Sequence, residues 1–406
     1  MLEFSAHLEY KKNSDIHGVA LYPAVMVAPV QKQILKSIIE SEDISTIFDP
    51  FHGSGTALYE AKTINPSILT IGYDINPLAH LITISKLQGI DPNCIADDLE
   101  KMKKLIKAPE RIHPYSFPRM DKWLRSDVAF SIAVIRSAII SIESKKNRQF
   151  LWCILSDTVR KFSNTRSSTY KLHVKPDNEL SRLKNGVIPY FISRVDKALP
   201  KFNNNFQNFK IIKTDTLKTI KLTEDNSFDL SITSPPYGDN KTTVPYGEFS
   251  MLPLYSIPVE DLVLEGWEMT NYSSIDIHSL GGSKVKERKD LTVYERFLLK
   301  PYLTDISQNK HVKVISFFED YFTFLENLSR VTKKYIVLTL GNRTVDRVKI
   351  DLTNITISFL EENGYKLVEE FKREIPKKRI PCKTSIVKEK PVNSMGNEFT
   401  IILRKL

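Results

Sequence analysis

Short apolar runs that break at polar or glycine-bearing turns, each followed by a stretch with helical spacing, recur along this chain. Ser45-Thr46-Ile47-Phe48 has the make-up of a strand and gives way to Asp49-Pro50-Phe51-His52-Gly53-Ser54-Gly55-Thr56, after which residues 57–62 can form a helix. A second run, 68–73, stops at Asp74, and Pro77 stands where a helix opens, ahead of residues 78–87. Further on, residues 206–213 end at Asp215, residues 228–233 at Ser234-Pro235-Pro236-Tyr237, and residues 334–340 at Gly341-Asn342. A last strand is predicted over residues 398–403. Strands alternating with helices predict an α/β fold with an open, doubly wound, mostly parallel sheet, whose ligands collect beyond the carboxyl ends of the strands. The unusual residues fall at those ends.

Residues 97–205 read differently. Helix-length apolar patterns over 128–142 and 149–162 stand among Lys101, Lys103, Lys104, Lys107, Arg111, Arg119, Lys145, Lys146 and Arg148. They predict a largely helical, basic insertion, with residues 1–96 and 206–406 as the core. A smaller, irregular insertion over 258–309 carries Gly281-Gly282 and a charged run over 284–290. Trp123, Trp152 and Trp267 are expected in the core, as bulky aromatics are mostly buried.

Composition narrows the class. A chain of 406 residues with 41% hydrophobic content can build one large core carrying an insertion. Cys94, Cys153 and Cys382 show no paired spacing, so neither a disulfide framework nor a zinc site is expected, and no metal. No apolar signal core or membrane-length run is seen, which predicts a soluble, cytoplasmic protein. A formal charge of +10 favours a polyanionic partner through phosphate contacts, although the same excess can simply solubilise.

The candidate chemistry starts at the glycine turn. Gly53 and Gly55 let backbone approach a ligand, and Asp49 can accept a hydrogen bond from an ammonium group. Alone, the turn reads more readily as a structural bend or as the nucleotide-binding fingerprint of a dehydrogenase; it is not a P-loop, since no Gly-Lys-Ser/Thr follows. Asp74, about twenty residues on, can hold the two hydroxyls of a ribose, or can cap the helix that opens at Pro77. Together these residues point to an adenosine-containing ligand. Ser234-Pro235-Pro236-Tyr237 presents acceptors, because two prolines supply no N–H. The Ser234 side chain and the Pro235 carbonyl can accept both N–H bonds of a base amino group, and Tyr237 can stack on the base. The bland alternative is a Pro-Pro turn with Tyr237 as packing.

Asp49-Pro50-Phe51-His52-Gly53-Ser54-Gly55-Thr56 paired with Thr233-Ser234-Pro235-Pro236-Tyr237 resembles the signatures of the amino-methyltransferases of bacterial restriction-modification systems, in particular the cytosine-N4 DNA methyltransferases. The resemblance covers about two thirds of the chain. It implies the class I S-adenosylmethionine-dependent methyltransferase fold and S-adenosyl-L-methionine as cofactor. The implied cofactor residues are Tyr22, Pro23, Asp49, Pro50, Phe51, Gly53, Gly55, Thr56, Asp74, Ile75, Asn76, Asp215 and Thr216. Among them Asp74 would bind the ribose, Ile75 would pack on adenine, and Asp215 would lie near the adenine amino group. Residues 22–26 are similar to the segment that closes the methionine end of the pocket in such enzymes. Ser234, Pro235, Pro236 and Tyr237 are the implied catalytic set.

In that family a serine ahead of Pro-Pro-aromatic is typical of cytosine-N4 enzymes, whereas Asp or Asn is more typical of adenine-N6 and RNA guanine-N2 enzymes. Ser234 therefore implies N4 of cytosine in DNA; adenine N6, an RNA base amino group and a non-catalytic binding module remain the alternatives. DNA is the implied partner, with a cognate restriction endonuclease as a second candidate. Expected substrate contacts are Asp239, Thr243 and Tyr246 just past the catalytic motif, and Arg166 and Tyr170 in the insertion, where cations, hydroxyls and aromatics mix. With Asp215 so assigned, the long insertion lies one strand earlier than the usual recognition region.

Overall fold

A computed structural model of the chain describes residues 10, 15–238, 243–264, 271–282, 289–375, 383–387, 390–393 and 396–406. Its sheet has seven strands, β1 (Thr46–Asp49), β2 (Leu69–Asp74), β3 (Phe209–Lys213), β4 (Phe228–Thr233), β5 (Thr332–Gly341), β6 (Tyr365–Glu374) and β7 (Asn397–Lys405), in the order 3-2-1-4-5-7-6. The pairs 3-2, 2-1, 1-4 and 4-5 are parallel, and β7 is antiparallel to both of its neighbours. This is the expected doubly wound, mostly parallel α/β sheet. Strand β6 escapes the sequence pattern because only one of its faces is covered: exposed and partly buried positions alternate through a segment rich in Lys, Glu and Arg. Two short hairpins, Arg343–Val345 with Val348–Ile350 and Lys383–Val387 with Lys390–Asn393, stand outside the sheet.

The helices of six residues or more are α1 (Ala28–Ser41), α2 (Thr56–Ile64), α3 (Pro77–Gln88), α4 (Ile95–Lys107), α5 (Ser126–Ile140), α6 (Lys145–Phe162), α7 (Val187–Ala198), α8 (Thr216–Lys221), α9 (Tyr246–Ser256), α10 (Val293–Leu303), α11 (Gln308–Val331) and α12 (Leu352–Glu362). Successive strand residues face opposite sides. Ile47, Ile232, Val337 and Ile402 share a core with α1 and α2, while Phe48, Ile336, Leu338 and Ile401 share another with α11 and α12. A third core joins α3 to α4, α5, α6, α7 and α9, with Trp123 and Trp152 buried inside it. Residues 97–205 thus pack on the sheet domain's own helices rather than around a separate centre. Trp267 lies outside the described residues.

One expectation fails in the stretch 258–309, read above as irregular. Helix α10 runs through it, opened by a capping box in which Thr292 and Glu295 each bond the other's backbone N–H. Pro301 hides this helix from sequence; it falls in the last turn, so any interruption of the helix comes only near its end. Nearer the start, Asp261 accepts from the Arg148 guanidinium at 2.8 and 2.9 Å and from Trp152 Nε1 at 2.8 Å, fastening this stretch to α6.

Candidate active site

Neighbouring strands set the site. Phe48 of β1 pairs with Ser231 of β4, so the glycine turn and the Pro-Pro turn leave the sheet side by side. In the glycine turn, Gly53 and Gly55 have φ of +51° and +70°, in the left-handed region. A Cβ on Gly55 would lie 2.5 Å from Thr83 Cγ2, so helix α3 forbids any side chain there. Thr83 Oγ1 donates to the Gly53 carbonyl at 3.1 Å, and the buried Lys86 ammonium donates to the Ser54 carbonyl at 2.5 Å. The turn is therefore held from behind by α3.

Asp74 at the end of β2 accepts the Gly53 N–H on Oδ2 at 2.9 Å and the Asn76 N–H on Oδ1 at 2.8 Å. The carboxylate also accepts from the Ile75 backbone and keeps acceptor capacity for a further donor. Burial pushes its pKa up to about 6 against the pull of those N–H bonds. Asp74 does not cap α3; Asn76 does, its Oδ1 accepting from Leu78 N at 3.0 Å. The Asn76 Nδ2 donates to Tyr22 Oη at 3.1 Å and to Ser250 Oγ at 2.8 Å, joining three segments. Asp49 is fully buried, accepts the Phe51 N–H at 3.1 Å, and is raised by burial to about 7, with the nearby Thr233 hydroxyl opposing.

These turns open into a cleft of about 820 Å³ including its mouth, a size that accommodates a nucleoside cofactor. Of the residues expected from sequence, Tyr22, Pro23, Phe51, Gly53, Thr56, Asp74, Ile75, Asn76, Asp215, Thr216, Ser234, Pro236 and Tyr246 line it. Phe51, Ile75, Leu217 and Leu280 provide apolar wall, and burial raises the Asp215 carboxylate. Ser54 and Thr56 line the cleft, and their hydroxyls are buried with no hydrogen-bond partner among the described residues. Vacant donors and acceptors of this kind, with the Asp74 carboxylate and apolar walls, fit an elongated nucleoside with a charged tail, as S-adenosylmethionine is.

Asp49, Pro50, Gly55 and Pro235 lie behind the lining and build it; the Pro50 carbonyl accepts from Thr216 Oγ1 at 2.5 Å. Tyr237 is also absent from the lining. Its hydroxyl is 2.9 Å from Ser234 Oγ and donates to Glu398 Oε1 at 3.5 Å, and burial holds its pKa well above the usual phenol value. Tyr246, at the start of α9, supplies aromatic wall instead, with its ring 5.7 Å from that of Tyr22. Thr243 donates to the Gly238 carbonyl at 3.5 Å and does not line the cleft, and Asp239 lies outside the described residues.

Arg166 and Tyr170 sit on an exposed loop closed by the Thr165–Val174 bridge. The loop is fastened to α9, where Leu172 N donates to Glu248 Oε1 at 2.7 Å and the Tyr170 ring meets Phe249 edge-on at 5.9 Å. Beneath it the Arg160 guanidinium lies 4.4 Å over the Phe249 ring. The loop therefore flanks the helix that begins with Tyr246.

Sequence reasoning missed one wall. Ile275, His278, Ser279 and Leu280 line the cleft from the smaller insertion. Asp276 holds them there by accepting the N–H groups of Gly247 and Glu248, both at 2.9 Å, at the start of α9. Only a lone acidic residue in a polar stretch marks this segment. His52, expected at the rim, is buried, donates from Nδ1 to the Gly53 carbonyl at 3.0 Å, and is kept neutral by burial, with its pKa at about 4.

Among the described residues, no group of His, Cys, Asp and Glu could hold a metal ion, and no helix is long and apolar enough to cross a membrane. No family model matches the chain. Among solved structures, it is similar to the rRNA methyltransferase aviRa of Streptomyces viridochromogenes, at 10% identity and a TM-score of 0.34 over 98% of this chain and 94% of that one. It is 29% identical over 414 residues to the type II methyltransferase M.MvaI of Kocuria varians, spanning 94% of this chain and 87% of the relative. It is 25% identical over 265 residues to the type II methyltransferase M.BsoBI of Geobacillus stearothermophilus, 56% of this chain and 50% of the relative. The chain is thus similar over nearly its whole length to one type II methyltransferase, and over about half of it to a second.

Proposed function

We propose that the chain transfers a methyl group from S-adenosyl-L-methionine to the exocyclic N4 amino group of cytosine in DNA, as the modification enzyme of a restriction-modification system. The observation that carries this reading is that Ser234 and Pro236 line the same cleft as Asp74 and Asp215. In it, Asp74 accepts the ribose hydroxyls, Ile75 and Phe51 flank the adenine, Asp215 accepts from its amino group, and Ser54, Thr56 and residues 22–26 enclose the methionine end. The bound cofactor supplies an electrophilic methyl group. Ser234 Oγ accepts an N–H bond of the base, loosening the lone pair from the ring so that nitrogen can attack. The base reaches them by leaving the helical stack, as enzymes acting on a duplex base require. Tyr246 offers its ring as one wall of the base pocket.

Residues 97–205 are proposed to grip the duplex. Lys101, Lys103, Lys104, Lys107, Arg111 and Arg119 are exposed there, and Arg166 and Tyr170 flank the helix of Tyr246. The test is incubation with tritium-labelled S-adenosylmethionine and unmethylated genomic DNA, followed by digestion to nucleosides and chromatography. Label in N4-methyldeoxycytidine is the expected result. Label in N6-methyldeoxyadenosine would overturn the choice of base, and label only in a parallel RNA reaction would overturn DNA as substrate.

A further inference from the structure

Ser234 begins a hydrogen-bonded chain that leads away from the cleft. Its Oγ lies 2.9 Å from the Tyr237 hydroxyl, which donates to Glu398 Oε1 at 3.5 Å. The other carboxylate oxygen of Glu398 accepts from Arg373 Nη2 at 2.6 Å and Nε at 3.2 Å. Glu398 belongs to β7, where it pairs in register with Gly341 at the end of β5, on the edge of the sheet that carries the cleft. It is partly exposed, with side-chain accessibility of 17%.

The direction of this chain follows from its far end. A carboxylate ion-paired to a guanidinium only accepts, so the Tyr237 proton points at Glu398. The Tyr237 oxygen is then free to accept, and the Ser234 proton points at Tyr237. Both Ser234 lone pairs are left for the cleft. A hydroxyl that could donate or accept is thereby set as an acceptor, which is what an amino group needs and what a ring carbonyl cannot use.

We propose that Glu398, acting through Tyr237, sets Ser234 as an acceptor and takes up the proton that the base amino group loses. The inference rests on the amino-methyltransferase reading above. In the reaction the amino nitrogen bonds to the methyl carbon, and the sulfonium–methyl bond breaks with its electron pair left on sulfur. The nitrogen then carries one proton too many. That proton passes to Ser234 Oγ as the serine's own proton passes to Tyr237 and the tyrosine's passes to Glu398, from which it exchanges with water. Charge balances: one carboxylate becomes a carboxylic acid and one aminium becomes a neutral amine. Glu398 is a positioning residue and the terminus of the relay, while Ser234 touches the substrate.

The test uses the full chain, tritiated S-adenosylmethionine and unmethylated genomic DNA, with Glu398→Gln and Tyr237→Phe. Gln can still accept from Tyr237 but cannot hold the proton, and Phe keeps the ring while removing the link. Both should slow methyl transfer by about a hundredfold, the range of lost acid–base assistance. Both should also flatten the acid limb of the pH–rate profile and enlarge the solvent deuterium isotope effect. Calorimetric affinity for S-adenosylhomocysteine should stay within about twofold of the parent, because neither side chain lines the cofactor end. Parent-like rate and pH profile in both variants would overturn the relay, as would an equal fall of rate and S-adenosylhomocysteine affinity. No labelled DNA with the parent chain would instead sink the reading beneath it.

Discussion

The turns after β1 and β4 leave adjacent parallel strands and open into one cleft, yet they are built from opposite chemistry. The first uses two glycines, one of them jammed against Thr83, to bring backbone close and to aim an N–H at Asp74. The second uses two prolines, which remove N–H donors and leave a hydroxyl and carbonyls. The first is pinned by buried groups of α3, Thr83 and Lys86; the second is tied to β7 through Tyr237 and Glu398. The contrast teaches a division of labour: the donor-rich turn suits a ligand that brings acceptors and a charged tail, and the acceptor-only turn suits a group that brings N–H bonds.

The largest effect should come from breaking the glycine side. Gly55→Ala places a Cβ where Thr83 stands and strains a positive φ, so cofactor affinity should fall by about a hundredfold and thermal stability with it. Calorimetry with S-adenosylhomocysteine and a melting curve read both; a variant that binds normally would show that the turn tolerates bulk. Breaking the proline side should separate the functions. Ser234→Ala should cut methyl transfer by about a hundredfold at unchanged cofactor affinity, as loss of one polar transition-state contact does. Joint loss of rate and binding would erase the contrast.

A gentler probe is pH. Burial raises Asp74 to about 6, so the carboxylate proposed to accept ribose hydroxyls is protonated below that value. S-adenosylhomocysteine affinity should weaken by about tenfold between pH 7 and pH 5, the fraction of competent sites falling accordingly. Stability of the ligand-free chain should run the other way. A carboxyl with a raised folded pKa binds its proton more tightly when folded, so its contribution is full below the unfolded value and is lost as pH rises through about 6. Melting curves across that window with and without ligand should therefore diverge as pH rises. The smallest effect belongs to neither turn: Arg166→Ala on the exposed loop should weaken DNA binding a few-fold, reduce the salt slope by about one, and leave cofactor affinity alone.

What was legible in sequence is what lies at strand ends. Asp49, Asp74, Asp215 and Ser234 each follow an apolar run, and an open parallel sheet sends such residues to one edge whatever fills the space between. What was illegible depends on contacts between distant segments. Ile275 and His278 reach the cleft because Asp276 caps α9 across 29 residues, and no local pattern announces a cap made from so far away. The orientation of Tyr237 depends on Glu398, 161 residues on, and a motif that names an aromatic does not say which way its hydroxyl turns. Strand β6 hides for a simpler reason: an edge strand covered on one face has no continuous apolar run to find.

The shared core of residues 97–205 bears on how such a protein can change. Leu81 and Ile82 of α3, Trp152 and Leu155 of α6, and Leu252 and Leu254 of α9 are packed into one another. The segment is not a cassette. Replacing it wholesale with a foreign stretch would bare the inner faces of α3 and α9, the helices that carry Thr83, Lys86 and Tyr246, and would disturb the cleft as well as the insertion's own surface. Change that spares the fold is therefore expected at the skin of the insertion, in single steps at positions such as Arg166, because its interior is packed as tightly as the sheet.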